Sequence, residues 1–409
     1  MIDDNSLYHA LTPRDMIATK HFGTVRNNSI SPAQSLVDRK ILMHEDLLQK
    51  TLSQQEFDDR FTELHQQLWG STEFRFDDVT QHVFAPPKGW FQADHSFFHD
   101  GENWHLYYVT GDMSLTEEWI SLFDKNKHAA AGKICLEPGN GHAQGKSLFE
   151  LAFVENVCFE SQGPFDISSR AVCSLFRHQE DFGMLYDVRG EQGELMSLAW
   201  SQDLHTWTLS EKNPVLAPPP WAHPEGAFKD PHVMAWKGAY LIYAVAWTQD
   251  GQVGVCLFTT EDWQTFYDQG MVFTIPPALR GTFGLESPQV VHHDGMWHLF
   301  YTWGPGLWHA VSPSPTGFQA GMEESHHRKV MRGPYLMGPF HATELVQDGS
   351  KWWLTTDRKE ETRRLNREAG RLCPRGSYAD EKTLEEGIYL AAVQWMGDQP
   401  ILEKPNRDS

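Results

Sequence analysis

The sequence predicts an all-β fold, a five-bladed β-propeller preceded by a short α-helical N-terminal extension. Three observations predict it. From about residue 82 the chain is written in short runs rich in Val, Trp, Phe and Tyr, separated by Gly and Asp turns. Five aromatic strands recur: "NWHLYYVTGD" (103–112), "DFGMLYDVRG" (181–190), "GAYLIYAVAW" (238–247), "MWHLFYTWG" (296–304) and "KWWLTTDR" (351–358). With Tyr107, Tyr186, Tyr243, Tyr301 and Leu354 taken as equivalent, the separations are about 79, 57, 58 and 53 residues. Repeats of this size, built from consecutive antiparallel strands, are the signature of a propeller. A β-sandwich would also supply many short strands. It would not explain a hairpin that repeatedly leads into a third strand ending in "DLHTW" or "EDWQTF".

The elements follow in order. Residues 1–80 form the extension, and residues 81–400 the propeller. In "SLVDRKILMHEDLLQKTLSQQEFDDRFTELHQQLWG", Leu and Phe stand at helical spacing between charged residues. This predicts amphipathic helices over 32–52 and 54–69, with Ser53 as N-cap of the second. They are expected to pack on the main domain, with a homodimer contact or a lid as the alternatives. Each aromatic strand follows an acidic or Gly turn. In the fourth repeat "PQVVHH" and "WHLFYTW" flank Asp294-Gly295, the strongest short hairpin signal.

Bulk properties exclude some partners. The 409 residues carry a net charge of −21, which disfavours nucleic acid and anionic membrane, both polyanions. Residues 1–15 show no basic stretch leading into an apolar one, so no secretory signal is expected there. Five scattered cysteines without a CxxC pair fit reduced thiols, and the expected location is cytoplasmic. No phosphate loop, dinucleotide fingerprint or HExxH motif is present, so no cofactor is expected to be required.

The innermost strand of each blade borders the central channel, so residues at the starts of those strands converge on one mouth. The first repeat places Asp94 there ("FQADHSFF"), the third Asp230 ("AFKDPHV") and the fourth Glu286 ("LESPQVV"). The fifth places His341 ("GPFHATELV"), and the second offers Asp166 and Arg170 ("FDISSRAVCSLF"). Asp94, Asp230 and His341 each lie about 13 residues before the aligned position, and Glu286 about 15. Three carboxylates on one mouth repel one another, an arrangement that needs compensation and suits glycoside hydrolysis. One acid protonates the leaving oxygen, a second carboxylate attacks the anomeric carbon or activates water, and a third holds a sugar hydroxyl. Glu286, beside Phe283 and Leu285, is the expected general acid, its pKa raised by partial burial and neighbouring charge.

These motifs resemble the three-part signature of the five-bladed furanosidases, glycoside hydrolase families 32, 43 and 68, and relatives such as family 117. "SLAWSQDLHTWTLSEKNPVL" is similar to a blade segment of the same families, and the resemblance covers roughly residues 85–395. It implies Asp94 as nucleophile or general base, Asp230 as transition-state stabiliser or pKa modulator, and Glu286 as general acid. It also implies a terminal furanosyl sugar, arabinofuranosyl or fructofuranosyl, on an oligosaccharide substrate. "GPFHATELV" is similar to the fifth-blade segment of family 43, where a channel histidine can sit near calcium; this implies His341 as a metal neighbour. The pattern departs in two places: "NDPNG" is absent around Asp94, and the Arg that precedes "DP" in fructosidases is Lys229. Arg and Lys are not interchangeable in bidentate recognition, which weighs against fructose.

Candidate substrate-binding residues complete the reading. Trp90, Trp247 and Trp303 are candidate stacking platforms for a sugar ring, chosen from 16 tryptophans of which most belong to the core. His95 and His341 are candidate pocket residues, and Arg170 either binds a substrate group or pairs with Asp166. The alternatives are a family 117-like anhydro-galactosidase, a fructosyl transferase, and a propeller that binds sugar or protein without turnover.

Overall fold

The computed structural model describes residues 74–115, 135–224, 226–275, 285–303, 306–318, 331–337, 340–358 and 385–406. The helices expected over 32–52 and 54–69 lie outside the described residues. The chain enters through a two-residue strand, Phe74–Arg75 (β1), a single helical turn, Phe76–Val79 (α1), and Gln81–Phe84 (β2). Blade I follows as Trp90–His99 (β3), Trp104–Asp112 (β4), Gly139–Gly145 (β5) and Ala152–Cys158 (β6). Blade II comprises Ser169–His178 (β7), Asp181–Gly190 (β8), Gly193–Ser201 (β9) and Thr208–Leu209 (β10). Blade III comprises Phe228–Trp236 (β11), Ala239–Trp247 (β12), Val253–Thr260 (β13) and Tyr267–Thr274 (β14). Blade IV comprises Leu285–His293 (β15), Met296–Trp303 (β16), Gly306–Ser312 (β17) and Met331–Met337 (β18). Blade V comprises Thr343–Asp348 (β19), Lys351–Arg358 (β20), Gly387–Met396 (β21) and Gln399–Glu403 (β22).

Each blade is an antiparallel meander, and the five sheets make a five-bladed β-propeller. The ring is closed by the N-terminal segment, because β2 pairs with β21 in blade V while β1 runs parallel to β18 in blade IV. The segment just before the expected boundary at residue 81 therefore already joins the ring: Phe76 and Val79 are buried between blades IV and V.

The aromatic repeat is the core. Tyr107, Tyr186, Tyr243, Tyr301 and Leu354 are all buried. They fall into three of the five large apolar clusters that fill the seams between neighbouring blades. The hairpin expected at Asp294-Gly295 forms, with φ of +47° and +77° at the two residues, the pair of left-handed conformations a type I′ turn requires. The recurring "DL" and "DW" turns share one construction. Asp203 Oδ1 accepts the N–H groups of His205 and Thr206, and Asp262 Oδ1 those of Gln264 and Thr265. The next residue, Leu204 or Trp263, is left-handed and drives its side chain into the core.

Polar side chains stitch the inner strands together around the channel. Ser174 accepts the Val233 N–H (2.9 Å), His232 donates to the Val290 carbonyl (2.9 Å), and Gln289 donates to the Leu345 carbonyl (2.8 Å). Glu344 accepts the Phe97 N–H at 2.7 Å. The inner strands β3, β7, β11, β15 and β19 are thereby fixed relative to one another, and so are their first residues.

Candidate active site

A β-bulge interrupts the inner strand of four blades near its start. The register shifts fall between Ala93 and His95, Ala171 and Cys173, Lys229 and His232, and Glu286 and Gln289. A bulge turns one residue out of the ladder and re-aims its side chain. In blade I the extra residue is Asp94. In blade III it includes Asp230, held left-handed at φ +56°; in blade IV it includes Ser287 at φ +50°, directly after Glu286. Non-glycine residues in this region are strained, and such strain collects at functional sites. In blade II the position is held by Val172, so the bulge there presents no carboxylate.

Asp94, Asp230, Glu286 and His341 come together as the spacing predicted. Ser287 links two of them: its N–H donates to Asp230 Oδ2 at 2.8 Å and its hydroxyl to Asp94 Oδ1 at 3.0 Å. Lys229 Nζ stands 3.3 Å from Glu286 Oε1 and 3.6 Å from Asp230 Oδ2. His341 spans the remaining pair, with Nε2 3.5 Å from Glu286 Oε2 and Nδ1 3.5 Å from Asp94 Oδ2. The repulsion among three carboxylates is thus offset by one ammonium, one imidazole and two hydrogen-bond donors.

Asp230 is one carboxyl whose proton affinity this environment raises. Burial is the largest cause; the charges of Asp94 and Glu286 add to it and Lys229 opposes it, leaving its pKa at about 6. Beneath the site lies Asp357, fully buried at the end of β20. Burial would raise its pKa, but the charge and hydrogen bonding of His341 and His95 outweigh this and hold it well below the carboxylate range. Its Oδ1 accepts the Ala342 N–H at 2.6 Å and its Oδ2 lies 3.6 Å from His341 Nδ1. Asp357, Ser287 and Lys229 are functional candidates that the convergence argument did not select. For Asp357 the signal was present: an acid closing the apolar run "WWLTTDR". A further buried acid, Asp187 on β8, has its pKa raised by burial first, then by the charge of Asp230.

Asp94, Asp230 and Ser287 line a cavity of about 40 Å³ together with His95, His232 and Glu344.

The other candidates divide. Trp90 and Trp247 begin β3 and end β12, both at the mouth end of their blades; Trp247 is 37% exposed. Trp303 is not a platform. It is completely buried in the cluster between blades III and IV, its ring 5.2 Å from that of Trp308, whose Nε1 donates to the Trp303 carbonyl. His95 is drawn into the channel behind the site: Nε2 bonds Thr355 Oγ1 at 2.7 Å and Nδ1 lies 3.8 Å from Asp357. Arg170 is buried and spends Nη1 on the Asp166 carbonyl at 2.6 Å, a structural contact with the backbone rather than an ion pair. His341 Nδ1 faces both Asp94 and Asp357, and its Nε2 faces Glu286. Among the described residues the grouping with metal-ligand spacing lies elsewhere, at His142, Glu155 and His205.

No protein-family model matches the chain, and no curated protein does. Solved structures do match. A Bombyx mori GH32 β-fructofuranosidase aligns with a TM-score of 0.55 at 15% identity, over 86% of this chain and 70% of that one. A thermostable family-43 glycoside hydrolase aligns at 0.53 and 13%, over 80% of this chain and 97% of that one. Fructan 1-exohydrolase IIa from Cichorium intybus aligns at 0.53 and 15%, over 81% of this chain; this chain spans 61% of that enzyme's length. At such identities the likeness is one of fold: this chain shares the five-bladed β-propeller of glycoside hydrolases of families 32 and 43.

Proposed function

We propose that the chain is a glycoside hydrolase that removes a terminal furanosyl residue, arabinofuranosyl or fructofuranosyl, or a related sugar, from an oligosaccharide. The observation that supports this is the convergence of Asp94, Asp230 and Glu286 from three blades onto one mouth, linked by Ser287 and Lys229. Their exposures grade the roles. Glu286, at 22%, stands furthest toward solvent and donates its proton to the leaving oxygen. Asp94, at 13%, either attacks the anomeric carbon or takes a proton from the water that does. Asp230, at 4%, is held by the Ser287 N–H, binds a sugar hydroxyl and adjusts the proton affinity of Glu286. Once Glu286 has lost its proton, Lys229 and His341 stand ready to stabilise the carboxylate, until incoming water returns the proton.

A panel of 4-nitrophenyl glycosides and plant or algal oligosaccharides tests the reading, with Glu286→Gln as the control. Sugar release is expected from furanosides. The variant should lose about 10²- to 10⁴-fold in kcat on native oligosaccharides and much less on 4-nitrophenyl substrates, whose leaving group needs little protonation. Calorimetric sugar binding without turnover would instead assign a binding module. Undiminished release by the variant would remove Glu286 from the reaction.

A further inference from the structure

Blade I holds a second polar cluster, on its outer strands. His105 on β4 and His142 on β5 lie side by side with ring centroids 5.2 Å apart and planes 14° apart, and His105 Nδ1 stands 2.9 Å from His142 Nε2. Blade IV repeats the pair: His298 on β16 and His309 on β17 stack at 5.1 Å and 13°, with the same 2.9 Å contact. The stacked pair is therefore a packing unit of the repeat and by itself calls for no ligand. Blade I differs in what flanks the pair, with Asp100 on one side and Glu155 and His205 on the other.

Those flanks fix where the protons sit. Burial pulls the Asp100 carboxyl upward, but the N–H groups of Asn103 and Glu102 and the His105 ring outweigh it, so Asp100 is ionised. It accepts from His105 Nε2 at 3.1 Å. With its Nε2 proton donated to Asp100, His105 presents Nδ1 as an acceptor, and the 2.9 Å contact places the Nε2 proton of His142 there. The lone pair of His142 thus ends on Nδ1. That atom is buried and makes no hydrogen bond, and it faces Glu155 Oε1 at 3.7 Å. Glu155 Oε1, partly exposed and 3.0 Å from His205 Nδ1, and the buried lone pair of His142 Nδ1 are opposed acceptors that a cation would bridge.

We propose that His142 Nδ1, Glu155 Oε1 and His205 Nδ1 bind a divalent transition-metal ion of the Zn²⁺ type, stapling blade I to the turn after β9 of blade II. Two imidazoles and one carboxylate suit Zn²⁺ and not the all-oxygen preference of calcium or magnesium. Around a tetrahedral ion with bonds of about 2.0–2.1 Å, ligand atoms stand about 3.4 Å apart. Here Glu155 lies 3.0 Å from His205 and 3.7 Å from His142. All three ligand atoms fall within 4.8 Å of one another, so small side-chain shifts complete the shell. Asp100–His105–His142 is a carboxylate–histidine relay of the kind that fixes the ligating tautomer of a zinc histidine. His205 and Glu155 are 37% and 42% exposed, which gives an entry route and room for a water as fourth ligand. The site lies on the outer half of the blade, two strands removed from the strand that carries Asp94. It stands independently of the proposed hydrolase activity.

The test is calorimetric titration of chelator-treated full-length protein with Zn²⁺, together with the visible spectrum of the Co²⁺-loaded form. One tight equivalent, a tetrahedral Co²⁺ spectrum and a Zn²⁺-dependent rise in Tm are expected. His205→Asn and Glu155→Gln, both at partly exposed positions, should each weaken binding at least about tenfold while the circular dichroism of the folded protein is retained. Asp100→Asn keeps an acceptor for the turn but removes the charge behind the relay, and should weaken binding by about 10- to 100-fold. Failure to bind one equivalent, or binding undiminished in both His205→Asn and Glu155→Gln, would overturn the assignment.

Discussion

Ser287 donates its backbone N–H to Asp230 Oδ2 at 2.8 Å from a left-handed backbone conformation, φ +50°, so one residue of blade IV sets the orientation of the carboxylate of blade III. The same residue holds Asp94 of blade I through its hydroxyl. Ser287→Ala keeps the N–H contact and removes the hydroxyl. It should lower kcat/KM about tenfold and cost at most about 1.5–3 kcal/mol of stability, the worth of one hydrogen bond to a charged group. Ser287→Val should also destabilise the fold, because a β-branched side chain is strained at this φ. Steady-state kinetics and thermal melts separate the two effects.

Asp230 costs the fold stability at neutral pH. Its folded pKa of about 6 lies above the ordinary 3.8, so between those values the folded state keeps a proton that the unfolded state releases. Stability therefore falls as pH rises through this window, and the loss is complete above it. Asp230→Asn should be more stable than the wild type at about pH 7 by about 1–3 kcal/mol, with activity lost, and the advantage should vanish below about pH 4. Urea unfolding at several pH values measures this, and an unstable variant at neutral pH would contradict it.

Glu344 behaves in the same direction at a higher pH. Its carboxyl is buried in the channel with one N–H donor, from Phe97, and burial pushes its pKa to about 8. The wild type should lose stability between about pH 4.5 and pH 8 as the unfolded chain ionises and the folded chain does not. Glu344→Gln fixes the neutral form and still accepts the Phe97 N–H. The stability difference between pH 5 and pH 8 should shrink by at least about 1 kcal/mol in that variant.

Trp247 and Trp303 should respond oppositely to truncation. Trp247→Ala, at the mouth and 37% exposed, should raise KM several-fold with kcat and Tm little changed. Trp303→Ala empties a buried site packed on Trp308 and should destabilise by about 3–5 kcal/mol. A melt and a Michaelis curve on each variant decide it.

Much of this was legible in the sequence because it is local. The period-two strands, the Asp294-Gly295 turn and the "DLHTW" turn are local chemistry, and the strand over 181–190 falls on the residues its pattern predicted. The convergence of Asp94, Asp230, Glu286 and His341 was legible because equivalent positions of a closed repeat share one mouth. Trp303 was misread because sequence spacing places a residue at the mouth end of a blade without saying which face of the strand it takes, and that face is the seam with blade III.

The sequence by itself determined the repeat, the number of blades and the identity of three acids, since each depends on neighbours along the chain. Tertiary structure alone decided the bulges that aim those acids and the closure of blade V by β2. It also decided the partners Lys229, Ser287 and Asp357, and the raised pKa of Asp230. The physical reason is that burial, bulge geometry and charge–charge distance are set across blades, between residues such as Asp94 and Ser287 that stand far apart in sequence and 3.0 Å apart in space.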